Sequence, residues 1–209
     1  MLASMRRPDG DLELVQIVDA ALAGAAERAG QWLACRKGCT PCCTGAFAIG
    51  ALDALRLADG MDELRAHDPA RAEAVIARSR AWIAAHGGEF PGDLATGRLG
   101  ESGVERQRFE DFANEAICPA LDPATGACDL YDWRPMTCRV FGPPVRTAGD
   151  DGAEGLGHCE LCFQGASPEE VAACEVVVPH ELEARITEEL GPRGETVVAC
   201  ALLNSASQR

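Results

Sequence analysis

From Leu14 onward, apolar residues recur at helical intervals, through Leu14, Ile17, Val18, Ala21, Leu22 and Ala25 to Ala29, Trp32 and Leu33. This predicts a long first helix running to the first cysteine. Gly38 and Pro41 prevent regular helix between Cys35 and Cys43, so those side chains are expected on a tight, irregular loop. A short helix follows from Ala51 to Ala58, closed near Gly60. Asp68-Pro69 then opens another: Asp68 can cap it, and Pro69 lacks an amide hydrogen that the first turn would leave unpaired.

The inward stripe of that helix is Ala72, Val75, Ile76, Ser79 and Ile83, ending before Gly87-Gly88, and residues 87–103 read as a glycine-rich loop. Glu105 to Ala116 predicts a further helix with Phe109, Phe112, Ala113 and Ala116 on one face, stopped by Cys118-Pro119. The acidic, glycine-rich stretch from Thr147 to Gly157 reads as a surface loop. Pro168 opens a last helical region, interrupted at Val178-Pro179 and resuming from His180 to Leu190, while Thr196 to Leu203 fits either helix or strand.

Composition sharpens the fold class. Aromatic residues make up only 5% while alanine and leucine abound, which favours helix over strand. We expect a mainly α protein: an irregular single domain over 1–209, with several helices around a cysteine-rich loop region and room for one short β-hairpin. The cysteine region spans about 35–163 and contains a helical insertion at 51–116.

The formal net charge of -14 disfavours nucleic acid and anionic membrane surfaces, and no run of Lys or Arg offsets it. Arg6-Arg7 precede the polar Pro8-Asp9-Gly10 rather than an apolar signal core, and no stretch approaches the roughly 20 apolar residues of a membrane helix. The expected location is cytoplasmic. Metal ions are the expected partners, and the sequence identifies no protein partner.

Eleven cysteines exceed what packing needs, and an odd number in a reducing compartment argues against a complete disulfide framework. Metal or redox chemistry is the alternative. The first constellation is Cys35-x3-Cys39-x2-Cys42-Cys43. These spacings are short enough for one loop to wrap an ion, although the adjacent Cys42 and Cys43 point in different directions and serve two ions, or one ion and the core, more easily than one site.

The second constellation is Cys118-Pro119, then Cys128, Tyr131, Arg134-Pro135 and Cys138-Arg139. The turn chemistry of Asp122-Pro123-Ala124-Thr125-Gly126 can fold Cys118 back beside Cys128, and Pro135 suits a first helical turn carrying Cys138. Arg134 and Arg139 are candidates to offset thiolate charge or donate hydrogen bonds to sulfur, against the alternative of ordinary surface ion pairs. Tyr131 reads equally as a core ring or a phenol beside the site.

The third is His158-Cys159-x2-Cys162, a CxxC pair able to complete a site begun elsewhere, with His158 as well suited to a supporting or solvent-facing role as to ligation. Cys174 and Cys200 lack close partners and read as core residues, and His67, His86 and His180 have no ligand-like spacing. The ligand candidates are thus Cys35, Cys39, Cys42, Cys43, Cys118, Cys128, Cys138 and Cys159, with Cys162 additional. Thiolates suit zinc and iron alike, including iron-sulfur clusters.

In order, Cys35, Cys39, Cys42 and Cys43, then Cys118-Pro119-x-Leu121, Cys128-x-Leu130-Tyr131-x2-Arg134-Pro135-x2-Cys138-Arg139-x-Phe141 and a later cysteine near Cys159 resemble the YkgJ-like cysteine-cluster family of zinc- or iron-chelating domains. The resemblance covers roughly 35–163 and implies metal binding. A domain of similar type occurs in flagellin lysine N-methylase, which makes an iron-sulfur or iron-dependent enzyme, of protein lysine methylation-like or redox type, the alternative reading. Cys35-x3-Cys39-x2-Cys42 also matches radical SAM spacing, but the strand-helix repeats of that barrel are missing.

Overall fold

The computed structural model describes residues 6–36, 38–148 and 154–206. Among them the helices are α1 (Gly10–Ala29), α2 (Ala51–His67), α3 (Pro69–His86), α4 (Gly103–Glu110), α5 (Met136–Val140), α6 (Pro168–Ala173), α7 (His180–Leu190) and α8 (Val198–Ala206). Antiparallel hairpins pair β1 (Gly92–Asp93) with β2 (Arg98–Leu99), β3 (Leu121–Asp122) with β4 (Ala127–Cys128), and β5 (Val145–Ala148) with β6 (Glu154–Gly157). The protein is mainly α, as its composition implies, and has two hairpins beyond the one expected. No helix among the described residues is long and apolar enough to cross a membrane.

The chain divides into two compact units, the first formed from residues 6–7, 38–135 and 190–206. Its core lies where α2, α3 and α8 meet, with Leu57, Met61, Val75, Ile76 and Leu202 almost fully buried. Asp68 caps α3 by accepting a hydrogen bond from the Arg71 amide, and Pro69 occupies the first turn. The segment after α7 resolves to helix: Val198, Ala201 and Leu202 face the core along α8.

Three expectations for this unit need correction. Gly60 does not close α2, which continues to His67. Glycine serves close approach there, because a Cβ would lie 2.5 Å from Cβ of Trp133. α4, opened by the Ser102–Glu105 capping box, ends at Glu110 instead of continuing to Ala116. Ala113 takes a left-handed φ of 54°, which breaks the helix, yet Phe112 and Ala116 are still buried, with Phe112 edge-on to Trp82 and Phe90. The glycine-rich stretch at 87–103 holds a 3-10 turn and the β1–β2 hairpin, pinned by Thr196, whose hydroxyl donates to the Gly97 carbonyl.

The second unit comprises residues 8–36, 136–148 and 154–189. α1 buries Leu14, Val18, Ala25 and Ala29, but ends in a 3-10 turn, Gly30–Trp32, before reaching Cys35, and Ile17 is 41% exposed. Arg28 on α1 donates to the Ala173 carbonyl at the end of α6. The buried Arg139 on α5 pairs with Asp19 on α1 at 2.6 Å. The expected loop from Thr147 to Gly157 is strand at both ends, where β5 and β6 pair as a hairpin, and its acidic centre, 149–153, lies outside the described residues.

Candidate metal centre

Within the first unit, two loops bring the Cys42-Cys43 pair to the Cys118–Cys128 hairpin. The 3-10 turn Pro41–Cys43 forms because Pro41 fixes its backbone at the first position, and the Cys43 amide donates to the Thr40 carbonyl. Thr44 then bridges Ile117 antiparallel, and the Cys118 amide donates to the Cys43 carbonyl at 2.8 Å. The Asp122–Gly126 turn folds as its residues predict: Asp122 accepts from the Ala124 amide and the Thr125 hydroxyl, and Leu121 pairs with Cys128. Gly126, at φ 67°, rests against the loop bearing Cys39, since a Cβ there would lie 3.6 Å from Cα of Gly38 and 3.8 Å from Cγ2 of Thr40.

These sulfurs differ in how readily they ionise. The Cys43 thiol donates to Cys42 and holds its pKa down at about 6; burial opposes that fall and Arg134 adds a smaller pull in its favour. The same hydrogen bond drives Cys43 upward, reinforced by burial and the negative potential of Cys42. Burial pushes Cys118 up to about 11, and is also the main cause of the rise at Cys128. The group therefore presents one thiolate with protonated thiols around it.

The second unit holds Cys35, Cys138, Cys159, Cys162 and Cys174. Cys35 is exposed and Cys162 buried, with their Sγ atoms 3.8 Å apart. Cys138 lies on α5. The Cys159 amide donates to the Gly142 carbonyl just beyond that helix, and Cys162 closes a turn onto Cys159. Cys174 packs with Cys159, Cys162 and Phe163 in one apolar cluster. His158 turns its ring toward Phe163, 5.3 Å between centroids.

No cysteine among the described residues is joined in a disulfide. Among the described residues no three Cys, His, Asp or Glu side chains gather into a ready-made cage. Thiols must lose their protons to ligate, and the thiolates so formed repel one another unless a cation lies between them, so closing a cage is coupled to binding.

The two arginines singled out in the sequence are placed differently. Arg134 stacks on the exposed Tyr131 ring at 3.8 Å, donates to the Tyr131 carbonyl and acts electrostatically on Cys42 and Cys128. Arg139 instead meets Asp19.

The spacing of the cysteines gives no sign of Asp129. Its carboxylate is 3% exposed and accepts from Arg71 and Arg78 on α3, while Nε of Arg78 donates to the Pro119 carbonyl. The clamp fastens both ends of the Cys118–Cys128 hairpin to a helix. Two arginines seven residues apart on one helical face were its only sequence signal.

No curated protein and no solved structure gives a match to this chain. A family model does: CxxCxxCC, "putative zinc- or iron-chelating domain", matches residues 34–153, which include every ligand candidate from Cys35 to Cys138 and stop short of Cys159 and Cys162. The match spans more than half of the chain, which therefore belongs to this cysteine-cluster family, the same family that its ordered motifs resemble.

Proposed function

We propose that this protein binds zinc or iron through cysteine thiolates, drawn from Cys35, Cys39, Cys42, Cys43, Cys118, Cys128, Cys138, Cys159 and Cys162. The observation that carries this reading is the junction at which the Cys118 amide bonds the Cys43 carbonyl and brings the Cys42-Cys43 turn onto the Cys118–Cys128 hairpin. Metal-binding loops are built in this way, with ligands supplied by tight turns and aimed by backbone hydrogen bonds.

The donor set fits the group. Soft sulfur ligands suit zinc or iron, and a bound ion would supply structural cross-linking or, with an open position, Lewis-acid or redox chemistry. Cys42 is disposed to offer a thiolate near neutral pH, and Arg134 is placed to offset the negative charge of a thiolate-bound ion. The remaining thiols lose their protons as they ligate.

The test is elemental analysis with an ultraviolet-visible spectrum on protein purified without oxygen. A colourless protein with stoichiometric zinc supports a structural or metal-handling role. A brown protein with iron and acid-labile sulfide supports an iron-sulfur centre and moves enzymatic chemistry to the front. Cys39→Ser and Cys138→Ser should each lower the bound metal; unchanged stoichiometry in both would overturn the ligand assignment.

A further inference from the structure

We propose that Cys35 and Cys162 share one tetrahedral metal ion, onto which Cys159 and Cys138 close as it binds, as a site belonging wholly to the second unit. This deepens the metal-binding reading and rests on it. A different ion is then left to the first unit, where Cys39, Cys42, Cys43, Cys118 and Cys128 offer five sulfurs for its four positions.

The separation of the Cys35 and Cys162 sulfurs carries the argument. Tetrahedral ligation at a metal-sulfur distance of about 2.3 Å places any two ligand sulfurs about 3.8 Å apart. Cys35 Sγ and Cys162 Sγ lie 3.8 Å from each other, across 127 residues of sequence. That spacing is too long for a disulfide and matches one edge of a four-sulfur tetrahedron. In a four-iron cubane each iron takes a single cysteine, so a pair sharing one ion fits zinc, mononuclear iron or one end of a two-iron cluster instead.

Three backbone segments are stitched together around this pair. The Phe163 amide donates to the Trp32 carbonyl at 2.7 Å, fastening the Cys162 turn to the segment that leads into Cys35. The Cys159 amide donates to the Gly142 carbonyl at 3.1 Å, fastening the same turn to the segment that leaves Cys138. The Cys162 amide donates to the Cys159 carbonyl at 2.8 Å, so both members of the CxxC share one turn.

Two local conformations point the same way. Phe163 adopts a left-handed φ of 57°, a conformation that costs a side-chain-bearing residue energy and that concentrates at functional sites. It is buried, and it lies immediately after Cys162. Gly142, at φ 130°, leaves the space beside the Cys35 sulfur open, because a Cβ would fall 2.7 Å from Cys35 Sγ. Cys159 and Cys162 also lie beyond the family match, so half of this site comes from outside the matched region.

The test is cobalt(II) titration of the reduced full-length chain, with ion number read by native mass spectrometry and thiolate ligation by sulfur-to-cobalt absorption. Wild type should take up about two ions, each with a sulfur-rich tetrahedral spectrum. Cys35→Ser, at an exposed position that leaves the fold intact, should weaken or remove one ion, and Cys162→Ser should affect that same ion.

Because both residues serve one ion, the double variant should lose no more than the worse single variant, whereas Cys35→Ser combined with Cys128→Ser should compromise both ions. Unchanged ion number and absorption in both single variants would overturn the proposal, leaving the pair as two hydrogen-bonded thiols. Losses that add in the Cys35/Cys162 double variant would also overturn it. A wild-type chain that takes up no cobalt, zinc or iron at any loading would instead overturn the metal-binding reading beneath it.

Discussion

The Arg78 guanidinium lies 2.5 Å from Oδ2 of Asp129, and its Nε donates to the Pro119 carbonyl at 2.8 Å. One side chain thus holds the residue after Cys118 and the residue after Cys128. With Asp129 almost fully buried, removing its charge leaves two arginines without their shared acceptor. Asp129→Asn should cost about 2 kcal/mol of stability. Arg71→Ala should cost less than Arg78→Ala, because Arg71 is 53% exposed against 25% for Arg78 and lacks the Pro119 bond. Urea unfolding gives the stability order, and zinc competition with a chromophoric chelator shows whether affinity falls in the same order. Equal losses for the two arginine variants would refute the clamp.

Gly60 offers a test in which two effects oppose each other. In a helix interior, Gly→Ala ordinarily gains about 1 kcal/mol from propensity. In α2 the new methyl would meet Trp133, with Cβ and Cγ both 2.5 Å away, and overpacking of this kind costs about 2 kcal/mol. Gly60→Ala should therefore lower the denaturation midpoint. A raised midpoint would mean that Trp133 moves aside freely.

The hairpin turn supplies a pH dependence. The Thr125 hydroxyl, and then the Ala124 amide, hold the Asp122 carboxyl below its ordinary value of 3.8. A group whose pKa falls on folding contributes stability above its unfolded value and loses it as pH drops through the folded one. Wild type should thus melt above Asp122→Ala at pH 7, with the gap closing as pH falls below about 4. Thermal melts of both proteins at pH 7, 5 and 3 measure this, and a gap unchanged at pH 3 would show that the turn is held by something other than the carboxylate.

Local rules read the helices well where caps and stripes agreed. Asp68-Pro69, the Val75–Ile76 stripe and the His180 restart all lie where their residues put them, because each depends on neighbours within a few positions. The failures are tertiary. Gly60 marks a contact with Trp133, 73 positions away, and Ala113 breaks a helix whose apolar face continues unchanged past it.

The site divides in the same way. The turn that folds Cys118 toward Cys128 was legible from Asp122 to Gly126. The Asp129 clamp and the Cys35–Cys162 approach join distant segments, and only the Arg71–Arg78 spacing hints at the first.

Cys200 distinguishes a cysteine kept for packing from one kept for ligation. It is 4% exposed and clusters with Trp82, Phe90 and Phe112, and burial pushes its thiol up to about 11. At neutral pH it is therefore a protonated, apolar filler. Cys200→Ser exchanges that filler for a hydroxyl in an apolar cluster and should cost about 2 kcal/mol. Bound metal per folded chain should stay at the wild-type value, whereas Cys39→Ser at a half-buried loop position should lower bound metal. Elemental analysis and urea denaturation on the same two variants separate the roles. A Cys200→Ser chain that keeps its stability but loses metal would make Cys200 a ligand.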